Sequence, residues 1–231
     1  MDKKSIKLWA EGRQAIYDYL SGVYLTIPSE EVVLKIPELL PSFRQIGEAI
    51  DTVEAESFIT LFDTYAARVN KAQKLNQLAL LTEELNMEFT ALFMLGDLSV
   101  PFYESAFLAK TGHEVVQIQQ DVYHFFHRRN LSRKGELNIP EDAIIHELDY
   151  LAQMSGLISV AEEIAMLNEL LAEQLLFMDE HLFKWLFLFT EKALLKAQEE
   201  KSVYYSAQLL LTSAFVRYDY TILTSLLNTT E

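Results

Sequence analysis

Acidic and histidine residues recur at helical spacing in the segment 141–156. The polar positions follow one another at steps of four, three and four residues: Asp142, His146, Asp149 and Gln153. Such steps place side chains on one face of a helix. Two acids beside a histidine form an anionic ledge that can bind an arginine through paired hydrogen bonds. The spacing alone favours a second interpretation, the solvated side of an amphipathic helix.

A second polar group follows Pro101 and comprises Tyr103, Glu104 and Ser105. A proline at this point predicts a turn into a new helix. The Glu104 carboxylate and the Tyr103 hydroxyl can line a binding groove. Equally, the tyrosine can satisfy buried backbone groups and Ser105 can cap the helix, so both interpretations stay open.

An aromatic ridge occupies every fourth position late in the chain, at Phe177, His181, Trp185 and Phe189. Side chains four apart lie along one side of a helix. Such a ridge usually belongs to the core, which predicts that His181 is buried and hydrogen-bonded. The alternative assigns Trp185 to an apolar peptide groove.

The segment 124–129 combines histidine with arginine. His124 and His127 have a spacing that metal ligands use, but Arg128 and Arg129 follow at once and would oppose a cation. The basic residues can contact a nucleotide phosphate or an acidic face of another subunit, or they can belong to a solvated linker. The sequence contains no Gly-x-Ser-x-Gly, no adjacent His-Asp pair and no Glu-x-x-His motif, and we therefore expect no enzyme.

Charge and composition further limit the kinds of partner that the protein can bind. The formal net charge is −15 in 231 residues, which argues against nucleic acid and favours a cationic partner. There is no cysteine, and the seven glycines are scattered, so disulfides and a glycine-rich phosphate loop are excluded. No apolar signal core follows the N-terminus and no apolar run approaches the length of a membrane span. We expect a cytoplasmic protein.

Helical periodicity dominates the chain and predicts an all-α fold, a compact bundle of about nine to ten helices in a single domain over 1–231. One stripe, Leu78, Leu81, Leu85, Phe89 and Leu92, shows three- and four-residue steps. Pro28, Pro37 and Pro41 are expected to break the early region into short helices. The predicted helices span 5–24, 29–40, 52–69, 72–94, 104–127, 141–156, 159–177, 178–199 and 203–228.

The most polar connection, 130–138, predicts a hinge near 128–139. Asn138 is a plausible N-cap, with Pro140 in the first turn and Glu141 at the third position. The same connection is where subunits would exchange halves.

Three ordered passages resemble the TorD/DmsD/NarJ family of redox enzyme maturation chaperones. The first runs from Glu88 to Phe93, then Gly96, then the Pro-x-Tyr-Glu-Ser turn within Val100–Phe107. The second is the Pro-Glu-Asp helix start followed by Glu-Leu, within Ile139–Ala152. The third is the His-x-x-x-Trp helix of His181 and Trp185. Where the family usually has a histidine after the aspartate, this chain has Ala143, so that role is lost or taken by His146.

The resemblance implies an all-helical fold, no catalysis, and binding of the twin-arginine signal peptide of a molybdoenzyme catalytic subunit until its cofactor is loaded. It further implies guanine nucleotide as a candidate ligand and a monomer or homodimer. The expected peptide-binding residues are Tyr103, Glu104, Ser105, Asp142, His146, Asp149 and Trp185. The alternative is a helical adaptor or regulator that binds another cytosolic protein.

Overall fold

The computed structural model describes residues 3–133 and 139–230, without the side chains of Lys3, Thr229 and Thr230. The fold is all-α, as predicted, and the described residues contain no strand beyond one isolated bridge. The helices are α1 (Lys3–Leu25), α2 (Glu30–Ile50), α3 (Val53–Lys74), α4 (Leu78–Phe93), α5 (Ser105–Leu108), α6 (Gly112–Arg128), α7 (Ile144–Val160), α8 (Ile164–Phe177), α9 (Phe183–Glu199) and α10 (Val203–Thr230). None of the helices among the described residues is sufficiently long and apolar to cross a membrane.

Side-chain caps begin three of these helices. Ser29 accepts a hydrogen bond from the backbone N–H of Val32 before α2, and Thr52 does the same for Ala55 before α3. Thr111 starts α6 with a full capping box, in which Glu114 reaches back to the Thr111 backbone. Each cap satisfies a backbone donor that has no partner within the helix.

The prediction that Pro37 and Pro41 break the early region is wrong. Both residues lie inside α2. A proline removes the bond to the carbonyl four residues earlier, and two prolines four apart put both losses on one side of the helix. Packing of α2 against α3 nevertheless keeps α2 continuous. The rings of Phe43 and Phe62 stack with centroids 4.1 Å apart.

Other predicted boundaries also differ, and the helices predicted from 72 and from 159 begin at Leu78 and Ile164. The helix predicted over 104–127 is divided into α5 and α6. The helix predicted from 141 begins at Ile144, with Ala143 as an N-cap lacking a side-chain bond. The predicted cap Asn138 lies outside the described residues. The predicted start at 178 is a π-helical segment, Met178–Leu182, between α8 and α9.

The chain divides into two compact units. The first unit comprises Met1–Leu25, Phe102–Phe187 and Asp219–Glu231. Within it, α1 packs against α7. Arg13 of α1 is buried and donates to both carboxylate oxygens of Asp219 at 2.6 and 2.7 Å. This ion pair ties the N-terminal helix to the C-terminal segment.

The second unit comprises Thr26–Pro101 and Leu188–Tyr218. The predicted leucine stripe of α4 is confirmed as its inward face, since Leu81, Leu85, Phe89 and Leu92 are buried and Leu78 is partly buried. Phe89 and Phe93 pack against Tyr205 with centroids 6.0 and 5.7 Å away. The aromatic cluster fixes which face of α4 points inward.

Candidate functional site

Two distant chain segments pair at the start of α5 and α7. Tyr103 and Ala143 form an antiparallel bridge. The backbone N–H of Glu104 donates to the carbonyl of Asp142, and that of Ile144 donates to Phe102, both at 2.9 Å. The two motifs that the sequence analysis singled out are therefore in direct contact.

The Asp142 side chain strengthens this pairing. Its Oδ2 accepts a 2.8 Å hydrogen bond from the backbone N–H of Ser105. Ser105 is the first residue of α5 and does not serve as its cap. Asp142 is completely buried, so its carboxylate acts here as an internal acceptor that holds the start of α5.

A buried carboxyl cluster forms around this pairing and comprises Glu104, Asp142 and Glu147, with His181 and Trp185. Nδ1 of His181 lies 2.8 Å from Oε2 of Glu104. The indole Nε1 of Trp185 donates to both oxygens of Glu147, at 3.1 and 3.0 Å. None of the five side chains is more than 4% exposed. The cluster is therefore shielded from water. Charge interactions inside it are stronger than they would be in water.

Glu147 is the electrostatic centre of the cluster. Its burial raises its pKa well above the usual carboxyl value, and the neighbouring charges of Glu104 and Asp142 raise it further, while the Trp185 donor lowers it. Burial and like charge both disfavour an ionised carboxyl. The folded state therefore favours the protonated form of Glu147.

The π-helical segment places His181 and Trp185 together on this cluster. Short π segments recur at functional sites because they turn side chains out of α-helical register. The His181 ring packs against Phe125 and Phe177, with centroids 5.4 and 5.3 Å away. The expectation of a buried, hydrogen-bonded histidine is confirmed.

Trp185 is fully buried beside Phe107, with ring centroids 5.5 Å apart. This agrees with the core interpretation of the aromatic ridge. A peptide-binding role for Trp185 stays a prediction.

The remaining predicted residues, His146 and Asp149, lie in a different environment. Asp149 accepts from Gln153 at 2.8 Å, and Gln153 also donates to the carbonyl of Ser132. Burial, with a smaller effect from the Arg133 charge, lowers the pKa of His146 to about 4. The interpretation of these residues as a solvated helix face is wrong, and the arginine-binding interpretation stays a prediction. Asp142, His146 and Asp149 are each at most 2% exposed.

The structure thus brings Glu104, Ser105, Asp142 and Trp185 together and joins Tyr103 to them through the backbone. Sequence reasoning missed Glu147. The sequence feature that could have identified it is an acidic residue on the otherwise apolar side of α7, between Ile144 and Leu151. Acidic residues at such positions are buried only when they are paired.

His181 links the cluster to a cavity of about 160 Å³, which it lines together with charged residues of both signs. The cavity wall contains Asp121, His124, Arg128, Glu180 and Lys184. In the part of the chain that the structure describes, no group of three or more histidine and acidic side chains is arranged so that it could hold a metal ion. Arg129 donates hydrogen bonds to the carboxylates of Glu173 and Glu169, at 2.7 and 2.6 Å.

The described residues thus form an all-α fold with a buried carboxyl cluster. The sequence model of the nitrate reductase delta subunit family matches residues 55–191, which is more than half of the chain and includes the whole cluster. The protein therefore belongs to this family, the TorD/NarJ group of redox enzyme maturation chaperones.

Two curated relatives agree with this assignment. The chain is 25% identical over 210 residues to the chaperone protein TorD of Aliivibrio fischeri, covering 90% of this chain and 93% of that protein. It is 26% identical over 146 residues to the chaperone protein TorD of Aliivibrio salmonicida, covering 60% and 68%. No solved structure matches the chain.

Proposed function

We propose that the protein is a cytoplasmic chaperone, not an enzyme, that binds the twin-arginine signal peptide of a molybdoenzyme precursor and holds it until the cofactor has been inserted. The observation that carries the proposal is the position of the carboxyl cluster. Its five members come from three motifs that lie within the family match. Relatives that share this region are named chaperones.

The chemistry of the cluster supports a guanidinium-bearing partner. Arginine presents a planar fork that fits a carboxylate through two parallel hydrogen bonds. Glu104, Asp142 and Glu147 supply three carboxyls in a small volume, and Trp185 and Phe107 supply an apolar wall beside them. The net charge of −15 attracts a cationic segment at long range.

In the described conformation the carboxyl cluster is closed to solvent. Peptide arginines would reach it when residues 102–105 separate from residues 142–144, which breaks the short backbone pairing. The two inter-segment backbone bonds and the Ser105–Asp142 bond would each contribute roughly 0.5–1.5 kcal/mol. A binding partner can shift the chain to the open form only by as much as it binds that form more tightly.

Titration of the purified full chain with a fluorescent leader peptide tests this proposal. The leader comes from a molybdoenzyme of the same organism, and the matched control is the same peptide with both arginines replaced by lysine. We expect the arginine peptide to bind and the lysine peptide to bind about tenfold more weakly, because lysine cannot form the planar fork.

Two results would contradict the proposal. Equal binding of the two peptides would remove the arginine-recognition role. Absence of leader binding, together with binding of the mature enzyme lacking its leader, would make the protein an adaptor instead.

A further inference from the structure

One carboxylate beside the buried carboxyl cluster is accessible to solvent. The segments 102–105 and 139–149 contain five acidic residues, of which four are buried: Glu104, Asp142, Glu147 and Asp149. The fifth, Glu141, is partly exposed and directly precedes Asp142 in the chain. A cationic partner that approaches these segments in the described conformation therefore meets Glu141 first, because the other four carboxyls are shielded from solvent.

Glu141 already binds a guanidinium, which comes from the same chain. Nη1 of Arg133 donates to Oε1 of Glu141 at 2.8 Å, and the two side chains are 23% and 30% exposed. The carboxylate is thus placed so that it accepts an N–H donor of arginine. One guanidinium nitrogen takes part in this bond, whereas a carboxylate can accept two parallel bonds from an arginine. A better-aligned arginine would therefore gain a contact that Arg133 does not make.

A separate contact holds Arg133 close to helix α7. The side-chain amide of Gln153 donates to the carbonyl of Ser132, the residue before Arg133, at 2.6 Å. The same amide nitrogen donates to Oδ2 of Asp149 at 2.8 Å. These bonds attach the chain next to Arg133 to α7, so its guanidinium stays within reach of Glu141. A cation held in this way competes for the carboxylate as an intramolecular ligand, at a high effective concentration.

The pair of Arg133 with Glu141 is of a kind that exchanges readily. Ion pairs between partly exposed side chains are screened by water and contribute little to stability. Neither side chain is fully buried, so a second guanidinium can replace Arg133 without leaving a buried charge unpaired. A lysine would replace it less well, because an ammonium cannot form the planar fork that fits a carboxylate.

We propose that Glu141 binds one arginine of the leader peptide and that Arg133 is an internal competitor for this site. The inference rests on the proposed function and deepens it, since it adds a binding residue and a contact that limits the affinity of the chain for its leader. The leader has two adjacent guanidinium groups, and Glu141 and Asp142 are two adjacent carboxyl residues. The arginine that replaces Arg133 places its neighbour at segment 142–144, whose separation from residues 102–105 opens the cluster.

Titration of two single variants and their double variant with the fluorescent leader peptide tests this competition. Arg133→Gln removes the competitor, and we expect it to bind the leader about fivefold more tightly than the wild type. Glu141→Gln removes the charged acceptor, and we expect it to bind about fivefold more weakly. The double variant should bind like Glu141→Gln alone, because no carboxylate remains for which Arg133 could compete.

Arg44→Gln is the matched control for charge. Arg44 forms an ion pair with Asp63 at 2.7 Å on the second unit, and these side chains are 53% and 42% exposed. Its substitution makes the chain one unit more negative, as Arg133→Gln does, so it reports on long-range attraction of the cationic leader alone. We expect leader affinity close to that of the wild type. Equal tightening by the two variants would overturn the competition at Glu141.

The leader with both arginines replaced by lysine provides a second readout. Glu141→Gln should weaken binding of the arginine peptide more than binding of the lysine peptide, because the lost contact is the planar fork. The ratio of the two affinities should therefore fall relative to the wild type. Damage to the fold would weaken both peptides alike, and an unchanged ratio would overturn the assignment of Glu141.

The outcomes separate this inference from the proposed function. If the wild type binds the leader and Arg133→Gln binds it equally well, the competition is overturned while the proposed function stands. If Arg133→Gln tightens binding even when Glu141 is already replaced, the assignment of Glu141 is overturned. Leader binding by Arg133→Gln but not by the wild type would support both proposals. If neither protein binds the leader, both proposals fail.

Discussion

The indole Nε1 of Trp185 bridges both carboxyl oxygens of Glu147, at 3.0 and 3.1 Å, and both residues are completely buried. A single donor cannot neutralise a carboxylate in a site that also contains Glu104 and Asp142. A proton on Glu147 resolves the conflict, since it removes one charge from the cluster. The stability of the first unit should therefore depend on the protonation of this residue.

We predict that Glu147→Gln stabilises the protein at neutral pH. The raised pKa of Glu147 means that the folded state keeps a proton which the unfolded state releases above about pH 4.5. The stabilising contribution is complete below that pH and is lost as the pH rises toward the folded-state pKa. Glutamine has no proton to lose, so its advantage should grow by about 1.4 kcal/mol per pH unit across that interval.

Urea unfolding of both proteins between pH 4.5 and 8 measures this difference. Glu163→Gln, an exposed position on the same unit, serves as the control and should leave the pH dependence unchanged. A constant difference between wild type and Glu147→Gln over the whole range would show that Glu147 does not titrate in this way.

We predict that Asp142→Ala lowers the free energy of unfolding by about 1–3 kcal/mol, because the buried N–H of Ser105 loses its acceptor. Asp142→Asn keeps an oxygen at that position and should cost less. Thermal unfolding of the two variants distinguishes these outcomes, and equal stability of Asp142→Ala and wild type would contradict the structural role. Leader binding by Asp142→Ala should accordingly be measured where the variant remains folded.

The sequence predicted element types well because periodicity reports on local geometry. The buried side of α4 followed directly from its three- and four-residue steps. The prolines of α2 were misread because local propensity was overruled by packing of Phe43 on Phe62, which no local pattern contains.

The sequence predicted most residues of the candidate site but did not predict that they are buried. Spacing placed Asp142, His146 and Asp149 on one face, yet it carries no information about what covers that face. The pairing of residues 102–105 with 142–144 spans about 40 residues of sequence, and burial of Asp142 follows from that contact. Glu147 was not predicted as a site residue because its hydrogen-bond partner, Trp185, lies 38 positions away in the sequence.

We predict that His146→Gln reduces the loss of stability on acidification. The pKa of His146 is lowered from 6.5 to about 4, mainly by burial, so the folded state disfavours a proton that the unfolded state takes up. Its contribution is complete above pH 6.5 and declines as the pH falls toward 4, by up to about 1.4 kcal/mol per pH unit. Urea unfolding at intervals across this range should give a flatter profile for His146→Gln than for wild type. The exposed His113→Gln is the control, and a flattening of equal size there would contradict the assignment.

We predict that Asp219→Ala lowers the free energy of unfolding by about 3–5 kcal/mol. Arg13 donates twice to Asp219, at 2.6 and 2.7 Å, and Tyr17 donates to the same carboxylate at 2.7 Å. Removal of the carboxylate leaves a buried guanidinium without its counterion, which is far costlier than the loss of a surface pair. The comparison variant is Lys7→Gln. Lys7 lies on the same helix as Arg13, α1, and forms an exposed ion pair with Glu162. Loss of this pair should lower the free energy of unfolding by less than about 1 kcal/mol. Urea unfolding midpoints of the two variants measure the contrast. Similar costs for the two would show that the buried pair is no more important to the first unit than its surface counterpart.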